Sequence, residues 1–164
     1  MALVLTVEDG TGLPSSNSYA TVAGADDYFD SRPRSDAWAG LDDDQKALLL
    51  VHSTRVIDAA MVWYGEPLVE TQALAFPRID GDGIDIGVPT GVKNALCEMA
   101  LLQNAGDTSA QPATTGFSSI EVGPIKIVAD KQVSQPTIPR FIADLLAPYG
   151  SPRAGSGSVR LTRR

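Results

Sequence analysis

The sequence holds a single histidine, His52, and a single cysteine, Cys97. Within one chain this excludes a two-histidine metal site, an internal disulfide and a paired-cysteine zinc site. No apolar run approaches the roughly 20 residues that cross a bilayer, so no membrane partner is expected. The opening MALVLTVEDG has no basic segment and turns acidic at once, and is not expected to act as a signal peptide. Aromatic residues are few, at 6%. Positive charge is scarce over most of the length: residues 1–150 carry 9 Lys and Arg against 20 Asp and Glu. Residues 151–164 reverse this, with Arg153, Arg160, Arg163 and Arg164 and no acid. Such a body repels phosphate backbones, and such a tail is drawn to acidic surfaces.

The material that is present suffices for one compact domain. At 164 residues and 43% hydrophobic content the chain can bury a real core, and 15 Gly with 11 Pro predict several loops between short elements. Residues 3–7, LVLTV, read as a short strand followed by turn chemistry. A first helix is expected from Thr21, with Val22, Ala25 and Phe29 on one face, stopped by Pro33. Asp42, Asp43 and Asp44 then cap and favour the start of a long helix reaching about Tyr64. Its predicted core stripe is Leu49, Val56 and Trp63 at seven-residue spacing, with His52 and Ala60 in the stripe and Leu48 and Ala59 at its margins. Gly65 and Pro67 end it.

After a Gly/Asp-rich connection, a third helix is predicted from Pro89 to about Asn104, burying Val92, Ala95, Leu96 and Met99. Residues 104–118 read as a polar loop. Ile120 to Val122 and Ile125 onward read as two strands hinged at Gly123-Pro124. Ile138 to Ala147 reads as a last short helix whose apolar side is Phe141, Ile142, Leu145 and Leu146. The predicted fold is therefore mainly α: a small bundle of three to four helices with a β-hairpin and extended N- and C-terminal arms. The division is a body over 1–150, with the hairpin inserted at about 117–130, and a basic arm over 151–164. Neither arm has an evident strand partner in so small a domain, and neighbouring copies could supply one.

Chemistry-bearing patterns fail one by one. A lone histidine on an apolar helix stripe reads as packing, and Cys97 in a periodic apolar stretch reads as a buried thiol. Asp80-Gly81-Asp82-Gly83-Ile84-Asp85 resembles the opening of a calcium loop, but positions 5 and 12 fall on Ile84 and Gly91, so a solvated turn is expected. Asp42 to Asp44 read as a capped helix start rather than a carboxylate pair. Gly81, Gly83 and Gly87 match no phosphate loop. Trp38, near Leu41, reads as a staple at the entry of the long helix. The tail arginines have no interleaved aromatics, which a single-strand-binding surface would want. No enzyme activity and no cofactor are expected.

The order of motifs nevertheless has a family look. Tyr19-Ala20-Thr21 to Asp27-Tyr28-Phe29, then Trp38, then a helix ending Met61-Val62-Trp63-Tyr64-Gly65 resembles the head–tail adaptor (connector) proteins of tailed bacteriophages, many of them named as DnaT-like single-stranded DNA-binding proteins. The resemblance continues through Gln72 to Arg78, where Phe76-Pro77-Arg78 stands in place of a common Trp-Pro-Arg. It extends through Val88-Pro89 to Ala95, Gly123 to Ile127, Ile138-Pro139, Leu145 to Tyr149 and Val159-Arg160-Leu161, so it covers nearly the whole chain. It implies a structural virion protein at the head–tail interface: a homo-oligomeric, usually twelve-membered ring on the portal protein, with DNA passing through its lumen unbound. It further implies that Arg153, Val159, Arg160, Leu161, Arg163 and Arg164 dock on the portal or a neighbouring copy. Ile120, Val122, Pro124, Ile125 and Ile127 would then meet the next tail component or an adjacent subunit. The alternative is a single-stranded DNA-binding module.

Overall fold

A computed structural model describes residues 3–106 and 137–153, and the backbone alone of 120–122 and 125–127. Five helices dominate. Helix α1 spans Val22–Asp30 and is capped by Thr21, whose hydroxyl accepts the Gly24 N–H at 2.9 Å. The single-turn α2 covers Asp36–Ala39. Helix α3, Asp43–Ala60, opens with a complete capping box in which Asp42 and Gln45 each accept the other's backbone N–H. Helix α4 spans Thr90–Ala105, and α5 spans Arg140–Leu146.

Helix α4 is the axis of the bundle, in contact with α1, α2, α3 and α5. That position explains its composition. A helix flanked on several sides is apolar around most of its circumference, and Val92, Ala95, Leu96, Cys97, Met99 and Ala100 are all buried. Glu98 is the charged exception. Its two oxygens accept bonds from Arg32 at 2.6 and 2.9 Å, and the Tyr28 hydroxyl donates to it at 2.7 Å. A buried carboxylate is tolerable only when its lone pairs are satisfied in this way. Glu98→Ala is expected to lower unfolding stability by about 1–3 kcal/mol in urea titration, since it leaves the Tyr28 hydroxyl without its acceptor.

The long helix differs from expectation in phase and in length. It ends at Ala60, and Met61–Trp63 turn into strand β1. Trp63 is thus a strand residue, half-buried, rather than the end of a helical stripe. The buried face of α3 runs through Leu50, Thr54 and Ile57 and on to Met61, flanked by Val51, Ser53 and Val56. Val56 is core as predicted, whereas Leu49 and Ala60 only border the core and Leu48 is 59% exposed. The cause is polar: Ser53 and Thr54 occupy core positions and hide the stripe. Thr54 is satisfied by donating back to the Leu50 carbonyl at 2.9 Å. In α4 the predicted Val92, Leu96 and Met99 are all fully buried. Ile138, just before α5, and Ile142 and Leu146 within it face inward at four-residue spacing, and Phe141, predicted on the apolar side, is 50% exposed.

Three two-stranded antiparallel pairs complete the described residues. Strands β4 (Ile120–Val122) and β5 (Ile125–Ile127) form the expected hairpin. Strand β2 (Glu66–Pro67) pairs with β3 (Arg78–Ile79) inside what the sequence suggested was mere connection. Strand β1 pairs with β6 (Gly150–Pro152), Met61 opposite Pro152 and Trp63 opposite Gly150. Residues 151–153, expected to begin a free arm, are therefore held by the body, and the Arg153 N–H donates to the Ala60 carbonyl at 2.8 Å.

The N-terminal stretch also finds a partner within the chain. Val7 bridges Ser18, the Asn17 N–H donates to the Thr6 carbonyl at 2.8 Å, and Leu3 and Val4 stay exposed. The intervening turn folds around Glu8, which is buried and accepts the backbone N–H groups of Gly10, Gly12 and Leu13 and the Ser16 hydroxyl.

Candidate functional site

Among the described residues, Phe76-Pro77-Arg78 form a strap that carries an elaborate polar arrangement. The Phe76–Pro77 peptide is cis. Phe76 is fully buried, with Trp63, Tyr19 and Tyr149 set edge-on at centroid distances of 4.9, 6.1 and 6.4 Å. Such edge-to-face pairs add to plain area burial. Arg78 is buried too, and its guanidinium donates to the carbonyls of Tyr64 at 2.6 Å, Gly65 at 2.5 Å and Ala75 at 3.0 Å. The strap closes on Gly65, whose positive φ of 71° suits glycine and where an added Cβ would stand 2.1 Å from the Ile79 carbonyl oxygen.

Beside the strap, the Tyr19 hydroxyl donates to both oxygens of Asp58 at 2.8 Å. The Ala75 N–H donates to the same carboxylate at 3.2 Å, and the Phe76 N–H donates to the tyrosine oxygen at 3.3 Å. Burial raises the Asp58 pKa to about 6, against the opposing pull of these bonds and of the Arg78 charge. The Trp63 indole N–H lies near enough to favour the carboxylate, yet meets no acceptor at hydrogen-bond geometry among the described residues. Burial and the adjacent carboxylate push the Tyr19 phenol well above its usual range.

The Asp58 shift has a definite sign. The folded pKa of about 6 exceeds the ordinary 3.8. The native state therefore holds the proton more tightly, and its contribution to stability is full below the unfolded value and lost as pH rises through 6. Lowering pH from 7 to 4 is expected to favour the wild type over Asp58→Asn by on the order of 2 kcal/mol more at the acidic end, read as the difference between their denaturation curves.

Three cations of the body are drawn inward. Arg32 binds Glu98, and Arg78 binds carbonyls. Lys46, buried, sits 2.9 Å from Asp26 and 5.8 Å from the centre of the Trp38 ring. Trp38 is buried in α2, not merely a staple near Leu41, and donates to Asp26 at 2.7 Å. Burial alone would raise the Asp26 pKa, but the bonds from Lys46 and Trp38 outweigh it and hold the carboxyl below its usual range. Meanwhile Asp9, Asp27, Asp30, Asp36, Asp42, Asp43, Asp44, Glu66 and Glu70 face solvent. Arg34, Arg55, Lys93, Arg140 and Arg153 are exposed as well, but the exposed carboxylates outnumber them, and the described surface is acidic.

Other expected features fall as follows. Asp80 accepts the N–H groups of Asp82 and Ile84 at 2.9 Å, which closes the DGDGID segment as a turn. Among the described residues no group of three or more metal-ligating side chains gathers, and no helix is long and apolar enough to cross a membrane. Cys97 is buried in α4, and burial pushes its thiol up to about 12, which keeps it neutral and unreactive at ordinary pH. His52 is elsewhere, on an open groove of about 330 Å³ lined also by Arg55, Val56, Ala59, Ala60 and Thr137. Of the expected docking residues, Arg153 leaves the β1–β6 ladder beside that groove, while Val159, Arg160, Leu161, Arg163 and Arg164 lie outside the described residues. Ile120, Val122, Ile125 and Ile127 form the hairpin ladder, and Pro124 lies outside the described residues. The strap, the Tyr19–Asp58 pair and the inward cations escaped sequence reasoning. Only the unusual cluster Phe76-Pro77-Arg78 hinted at them.

Together these features define a small α-helical protein with an acidic surface, whose buried polar residues hold its own loops in place. Residues 1–164 match the family described as "Putative DnaT-like ssDNA binding protein", and the chain belongs to that family. No curated protein and no solved structure matches the chain.

Proposed function

We propose that the chain is a structural head–tail adaptor of a tailed bacteriophage, working as a ring on the portal protein in the virion, through which DNA passes. The observation that carries this reading is the charge arrangement. Among the described residues, twelve exposed carboxylates stand against the five exposed cations Arg34, Arg55, Lys93, Arg140 and Arg153. A ring of such bodies repels the DNA in its lumen and lets it slide, and repeated heterologous contacts between copies close a ring. The reading requires neither turnover nor cofactor. Negative-stain images of the protein mixed with portal should show an added ring at the portal face. Portals that stay bare at saturating protein would refute the adaptor reading.

The family's description favours a second reading, single-stranded DNA binding. It would rest on Arg153, Arg160, Arg163 and Arg164, with affinity falling steeply as salt rises. The acidic body opposes it. The adaptor reading expects no gel shift of a single-stranded oligonucleotide at micromolar protein and moderate salt. A shift abolished by substituting those four arginines would establish the DNA-binding reading instead.

A further inference from the structure

An Asp-Gly bond is open to spontaneous rearrangement, because glycine has no side chain to shield the nitrogen that follows the aspartate. The sequence holds three such bonds, Asp9-Gly10, Asp80-Gly81 and Asp82-Gly83, and the fold treats each differently. In the reaction the glycine nitrogen attacks Cγ of the aspartic acid. A C–N bond forms, the C–OH bond breaks, and the hydroxyl leaves with the amide hydrogen as one water. Water then opens the resulting succinimide at either carbonyl. Opening at the main-chain carbonyl leaves the backbone running through Cβ, as an isoaspartate. The carboxyl must be neutral and free to swing onto the nitrogen.

Two of the three carboxyls are held away from that geometry. Asp9 accepts the Thr11 hydroxyl at 2.6 Å and the Thr11 N–H at 3.0 Å, and these bonds hold the carboxyl below its usual range. The Gly10 N–H is itself engaged, donating to Glu8 at 3.1 Å. Asp80 is half-buried, and one of its oxygens accepts the N–H groups of both Asp82 and Ile84 at 2.9 Å. Swinging that side chain toward Gly81 breaks both bonds.

Asp82 stands at the tip of a small hairpin. Ile79 bridges Asp85, the Asp80 N–H donates to the Ile84 carbonyl at 3.0 Å, and the Gly83 N–H donates to the Asp80 carbonyl at 3.1 Å. This pattern encloses a three-residue loop, Gly81-Asp82-Gly83, with Gly83 in the left-handed position at a φ of 82°. Nothing lies within 4 Å of the place a Cβ on Gly83 would take. Asp82 is exposed, and its carboxylate has no partner among the described residues. The one restraint is the Gly83 N–H bond, an exposed turn bond of the kind that opens locally.

We propose that the Asp82–Gly83 peptide is a site of spontaneous isoaspartate formation, while hydrogen bonds protect the bonds after Asp9 and Asp80. Conversion inserts a methylene into the main chain at the tip. The three-residue loop then no longer closes, and the hairpin that continues from Arg78 and Ile79 loses its end. The inference depends on neither the adaptor nor the DNA-binding reading.

The test ages the full chain at physiological temperature and mildly acidic pH, where more of each carboxyl is protonated. Peptides are then mapped by mass spectrometry with electron-transfer fragmentation, which tells isoaspartate from aspartate. In the folded protein, isoaspartate at Asp82 should exceed that at Asp9 or Asp80 by about tenfold or more, the rate equivalent of the hydrogen bonds the other two must give up. In guanidinium chloride the three bonds should convert at similar rates, since only the fold distinguishes them. Asp82→Glu, which would have to close a six-membered ring, should remove the signal there. An Asp82 that stays intact in the folded protein but converts in guanidinium chloride would overturn the proposal, as would folded-state conversion of Asp9 or Asp80 as fast as that of Asp82. A tenfold preference that persisted in guanidinium chloride would belong to the local sequence and equally overturn it.

Discussion

Phe76→Ala should lower the stability of the protein by about 3–5 kcal/mol, the usual cost of emptying a large aromatic site in a packed core. Phe76 is fully buried and is the one ring shared by Tyr19, Trp63 and Tyr149. These residues belong to the segment before α1, to β1, to the strap and to the turn before β6, so the loss reaches four separate parts of the chain. The surroundings cannot collapse readily into the space, because Tyr19 is pinned to Asp58 and the strap is pinned by Arg78. Chemical denaturation gives the magnitude. A loss below about 1 kcal/mol would mean that the three remaining rings repack freely, contrary to the usual behaviour of close-packed interiors.

Arg78→Met should cost about 3 kcal/mol, although it keeps the bulk of the side chain. Methionine fills the space of the arginine stem but donates nothing, so the carbonyls of Tyr64, Gly65 and Ala75 lose a charged donor at once. Losing three bonds from one charged, buried donor is costly even where the accepting carbonyls are only partly buried. The damage should be local first. Hydrogen exchange is expected to quicken at Leu68, whose N–H bonds the Pro77 carbonyl, and at Ile86, whose N–H bonds the Arg78 carbonyl, before it quickens in α4. Arg78→Lys should rescue little, since one ammonium cannot span three divergent carbonyls as a planar guanidinium does.

These two residues also show where sequence reasoning stopped. Tyr19, Asp58 and the Phe76-Pro77-Arg78 segment stand far apart along the chain, and Tyr19 and Asp58 each have an ordinary local context. Nothing in the residues around Asp58 distinguishes it from the solvated acids of the same sequence. Its character comes from Tyr19, 39 positions earlier, and from the Ala75 N–H, 17 positions later. Lys46 and Asp26 are a similar case. Each reads as a surface charge on an amphipathic helix, and only the approach of α1 to α3 joins the buried Lys46 to the half-buried Asp26 beside Trp38.

What the sequence by itself determined is local. Thr21, Asp42 with Gln45, and Pro89 mark helix starts because caps and fixed φ act within three or four residues. The apolar period of α4 is legible because nearly every side of that helix is covered, so its buried residues are hydrophobic almost without exception. The β4–β5 hairpin is legible because Gly123-Pro124 forces a break between two β-branched runs. The tertiary structure decided the rest. It set the phase of α3, where three successive leucines allow several stripes and packing against α4 chose the one through Leu50 and Ile57. It also drew the first and last described segments into pairing with the body, and it selected which charges left the surface. The physical reason is common to all three. Burial energy depends on neighbours that loop closure brings together, and a linear pattern records only the preferences of residues one turn apart.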